Sequence, residues 1–542
     1  MQTVIFRARK ILTMNPSRPQ ATHVAVRDGR ILGVGEAGEL GQWGDARMDE
    51  RFADQVLLPG FVEGHSHVSE GAFWRFHYVG FHERTDPQGR VWPGLPSLDA
   101  VLTRLTDALG ETAQDAPLIA WGFDPIYFER RECDRHHLDR ISTTRDIIVL
   151  HASGHIISAN SAALRRAGWL RVGVEADGIP LGSDGLPTGE LKGPEAMTPM
   201  LACYGIDRDV LSDADAMRRF ARLCVRKGVT TATDLLNTLT PTAVSQMLAT
   251  ASAPDFPARI VPFLRLVSEP VAQTIARAQA LREQSIDRLR LGRVKMVIDG
   301  SIQGFSARLK WPGYLTEPSN GLWYTAPEQL EAALRAALAA DLLVNLHTNG
   351  DQATELVLET MARVLAEHPR PDHRYTLQHC QLANAAQFRR MHALGMCVNL
   401  FSNHLFYWGE QHISLTVGYE RAMRMNACAT ALSNQVPLAI HSDAPVTPLA
   451  PLFTAWCAVN RLSASGRVMG EEERIPVADA LRAITIGPAY QLKLDDEIGS
   501  IEVGKRADFA VLDDDPLAVP PGALRDIAVW GTVLGGQVFE AA

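Results

Sequence analysis

Two histidines one residue apart, His65 and His67, are the residues whose types and spacing most directly indicate chemistry. They close the stretch Leu57–His67, LLPGFVEGHSH, whose apolar start predicts a buried strand. Residues i and i+2 of a strand point to the same side, so both imidazoles can converge on one point. Histidine is a preferred nitrogen ligand of zinc-like metals, so the pair predicts part of a metal site. The alternative is a His-x-His pair that falls on a surface strand without function.

Four further polar residues lie in or at the ends of apolar strands downstream. Lys295 lies within GRVKMVIDGS, His347 within VNLHTNGD, His379 at the end of YTLQH and Asp443 at the end of LAIHSD. Taken singly, such a histidine can be structural and such an aspartate can cap a helix. A lysine in an apolar strand should be neutralised, paired or chemically modified, because burial disfavours its charge. The ordered set indicates one shared site.

These residues need a scaffold that brings successive strand ends together. From residue 57 to about 490, buried strands alternate with helices, as in α/β units, and a TIM barrel collects catalytic groups at the ends of its strands. The predicted strands are Val229–Asp234, Val294–Asp299, Leu342–His347, Tyr375–His379, Cys397–Leu400 and Leu438–Asp443. The predicted helices are Ala214–Lys227, Pro270–Glu283, Ala326–Ala340, Ala353–Glu367, Asn384–Leu394 and Pro476–Ile484.

Both ends of the chain contain short β-rich runs separated by turn residues. We therefore expect residues 1–56 and 490–542 to form one composite β-sandwich domain, and residues 57–489 to form the barrel. The interval at about 70–210 is too long for one strand–helix unit, so we expect an insertion over the barrel mouth. The predicted fold class is α/β, a distorted TIM (β/α)8 barrel with a small β-sandwich domain built from both termini.

Composition argues against several classes of protein. The net charge of −9 and the pI of about 6.0 give no support for binding to nucleic acid or to an anionic membrane. No apolar run reaches the roughly 20 residues of a membrane span, and the first residues do not resemble a signal peptide. The seven cysteines are scattered and never form C-x-x-C, which fits free thiols. A cytoplasmic enzyme acting on a small-molecule substrate is the expectation, with a homodimer as a possible assembly.

The ordered set of motifs, PGFVEGHSH, VKMVIDGS, HTNGD, LQHCQ and HSDAPV, resembles the amidohydrolase superfamily. It is most similar to amidohydrolase family 3, the YtcJ-like metal-dependent hydrolases that include N-substituted formamide deformylase. The segments GHIISANSAAL, PTG, GVT and the closing IGSIEVGKRADFAVLD agree with this resemblance, which spans almost the whole chain. Two departures are Val62–Gly64, where relatives often carry an aspartate, and ELKGPE after PTG.

The resemblance implies one or two divalent metals per chain, most simply Zn2+, and a set of ligands. His65 and His67 would bind the more buried metal with Asp443, His347 and His379 would bind a second, and Lys295 would bridge both as an N-carboxylated lysine. An unmodified Lys295 paired with Asp299, with a single metal, is the alternative. Asp443 would also move the proton, His155 would stabilise the oxyanion, and Asp351 and His441 would orient ligands.

The implied reaction is hydrolysis of a C–N bond in an N-substituted amide by metal-activated water. Aromatic residues are frequent in the insertion and in FSNHLFYWGEQH, so the substrate is expected to carry an aromatic or bulky apolar group. The predicted substrate contacts are Trp74, Trp121, Phe123, His404 and Trp408. The alternatives are a cyclic amide, an ester or lactone, or deamination at the same site, and a barrel that only binds its ligand.

Overall fold

The structure is a computed structural model that describes residues 2–40, 43, 46–174, 178–207, 209–266 and 270–541. The outermost residues of the predicted β domain, 1 and 542, lie outside the described residues. The chain divides into two compact units. The first comprises Met1–His67, Ala221–Leu239 and Leu248–Ala542, and the second comprises Val68–Phe220 and Thr240–Met247.

A sheet of eight parallel strands, hydrogen-bonded in chain order, forms the centre of the first unit. The strands are Phe61–Glu63, Val229–Asn237, Arg259–Arg265, Arg293–Val297, Val344–Thr348, Thr376–His379, Cys397–Leu400 and Leu438–Ile440. The first and last strands meet through an isolated parallel bridge between Ser66 and Ala444. The backbone N–H of Asp443 also donates to the carbonyl of His65 at 3.0 Å. The sheet therefore closes as the predicted distorted barrel, which confirms the α/β fold class.

Helices follow the barrel strands, and local sequence fixes where they begin. Directly after the strand that ends at His379, the Asn384 side chain accepts the backbone N–H of Gln387, and the Gln387 side chain accepts that of Asn384. This reciprocal cap starts the next helix. The helices within the first unit are Ala37–Leu40, Val271–Arg282, Pro327–Ala339, Asp351–Glu367, Ala385–Ala393, His404–Gln411, Tyr419–Met423, Cys428–Ser433, Pro451–Asn460, Val477–Ala483 and Ile486–Gln491.

The predicted barrel strands are present, Cys397–Leu400 with its predicted ends and the others with shifted ends, but the strand Arg259–Arg265 was not predicted. Its sequence contains Pro262, and a proline normally excludes a run from the middle of a sheet because it donates no hydrogen bond. Here Pro262 lies opposite Asp234 in the parallel pairing, and the register shifts directly after this pair. Arg259, only 1% exposed, pairs with Asp508 at 2.6 Å, which allows a charged residue to start a buried strand.

Strands from both chain ends share one seven-stranded sheet, which fits the predicted small sandwich domain. Its strands, in spatial order, are Gln537–Glu540, Val529–Leu534, Phe509–Leu512, Arg47–Pro59, Val4–Leu12, Gln20–Arg27 and Arg30–Gly35. The stretch Leu57–His67 is therefore two elements rather than one strand, since Pro59 ends a strand of this sheet and Phe61 starts the barrel. Gly60 makes the junction, where a Cβ would overlap the Thr230 side chain. The predicted domain limits stay a prediction.

The second unit contains a five-stranded sheet over much of the interval predicted as an insertion. Its strands, in spatial order, are Glu190–Lys192, Ile156–Ala159, Ile147–His151, Leu118–Phe123 and His77–Tyr78. The amphipathic helix Leu98–Glu111, capped by the Ser97 hydroxyl, contributes its apolar side chains to the core of this unit. The expected placement of this interval over the barrel mouth stays a prediction. None of the described helices combines the length and apolar character that crossing a membrane would require.

Candidate metal centre

Three of the predicted ligands meet where the first and last barrel strands end. The Nε2 atoms of His65 and His67 each lie 3.3 Å from Oδ1 of Asp443. His65 and Asp443 are buried and His67 is partly exposed. Two imidazole nitrogens and a carboxylate oxygen facing one point are a donor set that divalent metals of the zinc type accept. We call this group the first cluster.

Hydrogen bonds fix the ring orientation of both histidines in the first cluster. Nδ1 of His65 lies 2.8 Å from Oε1 of Gln378, which also accepts the side-chain N–H of Asn399 at 2.9 Å. Nδ1 of His67 lies 2.7 Å from the carbonyl oxygen of Leu235. Each acceptor requires the proton on Nδ1, so the lone pair of each ring is on Nε2 and points toward Asp443.

His347 and His379 form a second cluster on the neighbouring strands. Nε2 of His379 lies 3.0 Å from Nδ1 of His347, so the two rings hydrogen-bond each other. Nδ1 of His379 lies 3.8 Å from Oδ2 of Asp443. The Asp443 carboxylate therefore faces the first cluster with one oxygen and the second cluster with the other.

Lys295 is buried in the fourth barrel strand, and its Nζ has no hydrogen-bond partner among the described residues. Burial lowers the pKa of this amine to about 7, against the opposing effect of the Asp443 charge. An unpartnered buried amine is costly, and it is explained by a further group that binds or modifies it.

Asp299 does not supply the partner that Lys295 lacks. Its carboxylate accepts the backbone N–H groups of Arg308, Asn349 and Gly350 at 2.8–2.9 Å. Within the described part of the chain, the alternative of a Lys295–Asp299 ion pair is therefore absent. Asp299 instead holds the loop after His347, and Gly350 allows this approach because a Cβ there would overlap the Arg308 carbonyl.

Burial favours the neutral form of the His65 and His379 imidazoles, which is the form that binds metal. The pKa values of His65 and His379 are held well below the usual range, first by burial and then by neighbouring positive charge. Burial raises the pKa of Asp443, but its interactions with His67, His441 and Lys295 together outweigh burial, so the net shift is downward. Neutral nitrogens, an ionised carboxylate and the unpartnered amine of Lys295 together fit a divalent metal.

The backbone at two predicted ligands is in the left-handed region. His379 has a φ of 66° and Asp443 a φ of 53°. Such a conformation costs a non-glycine residue about 1 kcal/mol or more, and it persists where the surrounding structure enforces it. At His379 and Asp443 it turns the side chains at the strand ends into the site, a feature that residue types alone do not reveal.

Two residues at the centre have functions that the sequence did not predict. Gln378 orients His65, and the only signal for it was an amide in an apolar strand. Glu63, within the departure at Val62–Gly64, accepts the Ser442 hydroxyl at 2.8 Å and the backbone N–H of His65 at 3.2 Å. Burial raises the pKa of Glu63 to about 8. This side chain ties the first barrel strand to the loop that carries Asp443.

The two residues expected to orient ligands differ in their surroundings. Oδ1 of Asp351, at the start of a helix, accepts the backbone N–H of Lys310 at 2.8 Å and so holds a loop. His441 is fully buried, and neither of its ring nitrogens has a hydrogen-bond partner among the described residues. Its ring stacks on that of His65, with centroids 4.7 Å apart. Burial lowers the pKa of His441 to about 3.

His404 and Trp408, predicted to contact substrate, lie on one helix of the first unit, with ring centroids 4.4 Å apart. His404 is buried, and its ring nitrogens lie 3.0 Å from Nε2 of His412 and 3.2 Å from Oε1 of Gln303. Protein groups thus already occupy both nitrogens of His404. Substrate contact by His404 and Trp408 stays a prediction.

The remaining predicted site residues lie in the second unit. His155 is exposed, whereas Trp74 and Trp121 are buried with ring centroids 5.1 Å apart. Phe123 is completely buried and stacks on Phe128, with centroids 5.1 Å apart. Phe123 therefore belongs to the core of this unit. The oxyanion role of His155 and the substrate contacts of the three aromatic residues stay predictions.

A closed parallel barrel with histidines and an aspartate at its strand ends defines the class of metal-dependent hydrolases. Residues 53–539 match the model of the amidohydrolase family. The match covers most of the chain, so this protein belongs to the amidohydrolase family and is a hydrolase that acts on carbon–nitrogen bonds.

Curated relatives match over nearly the whole chain. The protein LONG AFTER FAR-RED 3 of Arabidopsis thaliana is 28% identical, with 93% of this chain and 85% of that protein covered. YtcJ of Bacillus subtilis is 27% identical, with 97% of each covered. The N-substituted formamide deformylase of Arthrobacter pascens is 26% identical, with 97% of this chain and 96% of that protein covered. These relatives confirm the resemblance seen in the sequence.

Solved structures share the fold at low sequence identity. An uncharacterized metal-dependent hydrolase from Pyrococcus horikoshii superposes with a TM-score of 0.73 at 18% identity, covering 96% of this chain and 99% of that one. An adenosine deaminase from Xanthomonas campestris, solved with bound zinc, has a TM-score of 0.55 at 16% identity, covering 99% and 92%. At these identities the likeness shows the fold.

Proposed function

We propose that this enzyme hydrolyses the C–N bond of an N-substituted amide bearing an aromatic or bulky apolar group. The observation that carries the proposal is the position of Asp443. One carboxylate oxygen lies 3.3 Å from two imidazole nitrogens, and the other lies 3.8 Å from a third. A carboxylate held in this way can bind metal and also exchange a proton with a reacting water.

The ligands in the proposal are the six predicted residues. His65, His67 and Asp443 would hold one Zn2+, and His347 and His379 would hold a second. Lys295 would bridge the two as a carbamate, formed when its uncharged Nζ bonds to the carbon of CO2 and releases one proton. The buried, unpartnered Nζ supports this modification, because the carbamate is an anion beside two cations.

The mechanism assigns the proton transfers to residues of the chain. When bound, the metal would lower the pKa of a water and polarise the substrate carbonyl. Asp443 accepts the proton of the attacking water and later delivers it to the leaving nitrogen. Gln378 and the Leu235 carbonyl keep His65 and His67 in the tautomer that faces Asp443. His155 donates to the oxygen on which negative charge develops.

The amide substrate is supported by the family and by the N-substituted formamide deformylase among the relatives. The buried Trp408, which lies in the same unit as the predicted ligands, supports an apolar substituent. A cyclic amide, an ester or lactone, or deamination is the alternative. All seven cysteines are free, which supports a cytoplasmic enzyme, and a homodimer is part of the proposal.

The test is product release, followed by mass spectrometry, from aryl and alkyl N-acyl amides, N-formyl amines, lactones and esters. The purified enzyme is assayed with zinc, with a chelator, and as the Asp443→Asn variant. We expect turnover of one amide class that both controls abolish. Turnover of lactones or esters alone would overturn the amide assignment. If the zinc-loaded enzyme turns over none of the compounds, the proposed substrate class is not supported. If the chain does not bind zinc, a barrel that only binds its ligand is favoured.

A further inference from the structure

A third group of side chains that can bind metal lies inside the same barrel and includes His441, which the sequence predicted only to orient ligands. One ring nitrogen from each of His65, His379 and His441 lies within 4.8 Å of the other two, and all three residues are buried. The ring centroids of His65 and His379 are 4.5 Å apart, and those of His379 and His441 are 5.0 Å apart. A tetrahedral zinc ion with bonds of 2.0–2.1 Å holds its nitrogens about 3.4 Å apart, so modest ring rotations would bring these three into range.

His441 is the unusual member of this group. It is 0% exposed, and both of its ring nitrogens lack hydrogen-bond partners within the described ranges. A buried polar atom without a partner is unfavourable, and neutral histidine carries a donor and an acceptor that both need partners. The nearby His65 and Phe401 rings pack against His441, each with its centroid 4.7 Å away, and supply no hydrogen bond to its ring nitrogens.

We propose that His441 is a direct metal ligand that, with His65 and His379, forms a three-histidine position inside the barrel. This position takes one residue from each of the two clusters described above. It rests on the proposed metal centre but not on the proposed substrate.

The three-histidine position competes with the first cluster for one ion. Two N–H donors, from His65 and Asn399, point at Oε1 of Gln378, so Nδ1 of His65 keeps its proton and only Nε2 has a lone pair. One lone pair binds one ion. An ion held by His65, His379 and His441 therefore excludes an ion held by His65, His67 and Asp443, and the chain offers alternative locations for a single metal.

The test removes both predicted positions and leaves the new one. In the His67→Ala/His347→Ala double variant, His65, His379 and His441 remain. The full-length protein is stripped of metal, loaded with Co2+ alone, and analysed for bound cobalt and for its visible absorption spectrum. We expect about one Co2+ per chain with the spectrum of nitrogen ligation, and a loss of at least tenfold in Co2+ affinity when His441→Phe is added.

A matched control and a direct measurement separate ligation from folding. His404→Phe in the same double variant removes another buried imidazole that packs against Phe401 and should leave cobalt binding unchanged. Circular dichroism checks that each variant is folded. If His441→Phe does not fold, His441→Asn replaces it, and if His404→Phe does not fold, His404→Asn replaces it. Anomalous diffraction from zinc-loaded crystals of the double variant should place the ion 2.0–2.1 Å from a nitrogen of His441.

Two results would overturn the inference. One is a folded double variant that binds no Co2+, and the other is equal cobalt binding with and without His441. Neither result concerns the amide substrate, because wild-type turnover of the compound panel tests that separately. Conversely, loss of cobalt with His441→Phe would support the inference even if no amide is hydrolysed.

Discussion

The two halves of the metal centre are built differently. In the first cluster, His65 and His67 each have an external acceptor for Nδ1, so both rings are fixed before metal binds. In the second cluster, His347 and His379 share one hydrogen bond of 3.0 Å, and Nε2 of His347 also lies 3.0 Å from Nδ2 of Asn349. An ion that binds through either nitrogen of the His347–His379 hydrogen bond must break that bond. The first cluster is therefore prepared for a metal, whereas the second changes its hydrogen bonding when it binds through those nitrogens.

Among the variants considered, a change at Asp443 should have the largest effect, because its carboxylate faces both clusters. Asp443→Asn replaces a carboxylate that faces both clusters with a neutral amide, and it removes the proposed proton acceptor. We expect amide turnover to fall about a thousandfold or more. The measurement is kcat on the best substrate together with metal content. Asp351→Asn, which changes a helix-start carboxylate, is the control, and equal activity of Asp443→Asn and wild type would contradict the role.

A chelator should remove metal from the two clusters one after the other. The second cluster is expected to release its metal first, with an affinity about 10–100-fold weaker than that of the first cluster. Titration with a chelator, followed by metal analysis, should show two phases in wild type. His347→Asn should remove the weak phase and His67→Asn the tight phase. A single phase would show that fixing the histidine rings does not increase metal affinity. Loss of the tight phase with His347→Asn, or of the weak phase with His67→Asn, would show the same.

A substitution at Gln378 tests the difference between the two clusters, because it removes the external acceptor that fixes the His65 ring. Gln378→Leu removes the acceptor of His65 Nδ1 without touching the proposed metal, and we expect metal affinity in the first cluster to fall about 10-fold to 100-fold. The readout is the tight phase of the chelator titration. Gln387→Leu, which removes a helix cap, should lower stability and leave that phase in place. If both variants weaken metal equally, the orientation argument fails.

Glu63 is expected to give the smallest effect. Glu63→Gln keeps the shape and an oxygen acceptor for Ser442, so the free energy of unfolding should fall by only about 1 kcal/mol. Denaturant unfolding measures this change, and metal analysis checks the site. Glu63→Leu removes every acceptor and serves as the severe comparison. Complete loss of metal from Glu63→Gln would contradict this expectation. It would show that Glu63 supports metal binding through its carboxylate and not only through its hydrogen bond to Ser442.

The barrel could be predicted from the sequence, and candidate ligands could be proposed, because both depend on local patterns. Apolar runs ending in His347, His379 and Asp443 have the correct order and spacing, and the parallel barrel then brings their ends together. The strand Arg259–Arg265 was missed because its support comes from Asp508, which lies 249 residues away. A long-range ion pair leaves no trace in the local pattern.

The orientation of side chains could not be predicted in the same way. His441 and Asp443 have the i, i+2 spacing of His65 and His67, yet Asp443 adopts a left-handed backbone after the strand has ended. Hydrogen bonds such as that of Gln378 to His65 join residues 313 positions apart. Residue types identify which groups can bind metal, but the fold decides which nitrogen each group offers.

The pairing of Arg259 with Asp508 also determines when the protein can mature. The barrel strand that begins at Arg259 keeps a buried positive charge until Asp508 arrives, and the strand Phe509–Leu512 completes the sheet beside Arg47–Pro59. Asp508 lies 249 residues after Arg259. The ribosome must therefore synthesise this intervening stretch before the buried charge is paired, so chains that end before Asp508 should be substrates for cellular proteases rather than partly active enzymes.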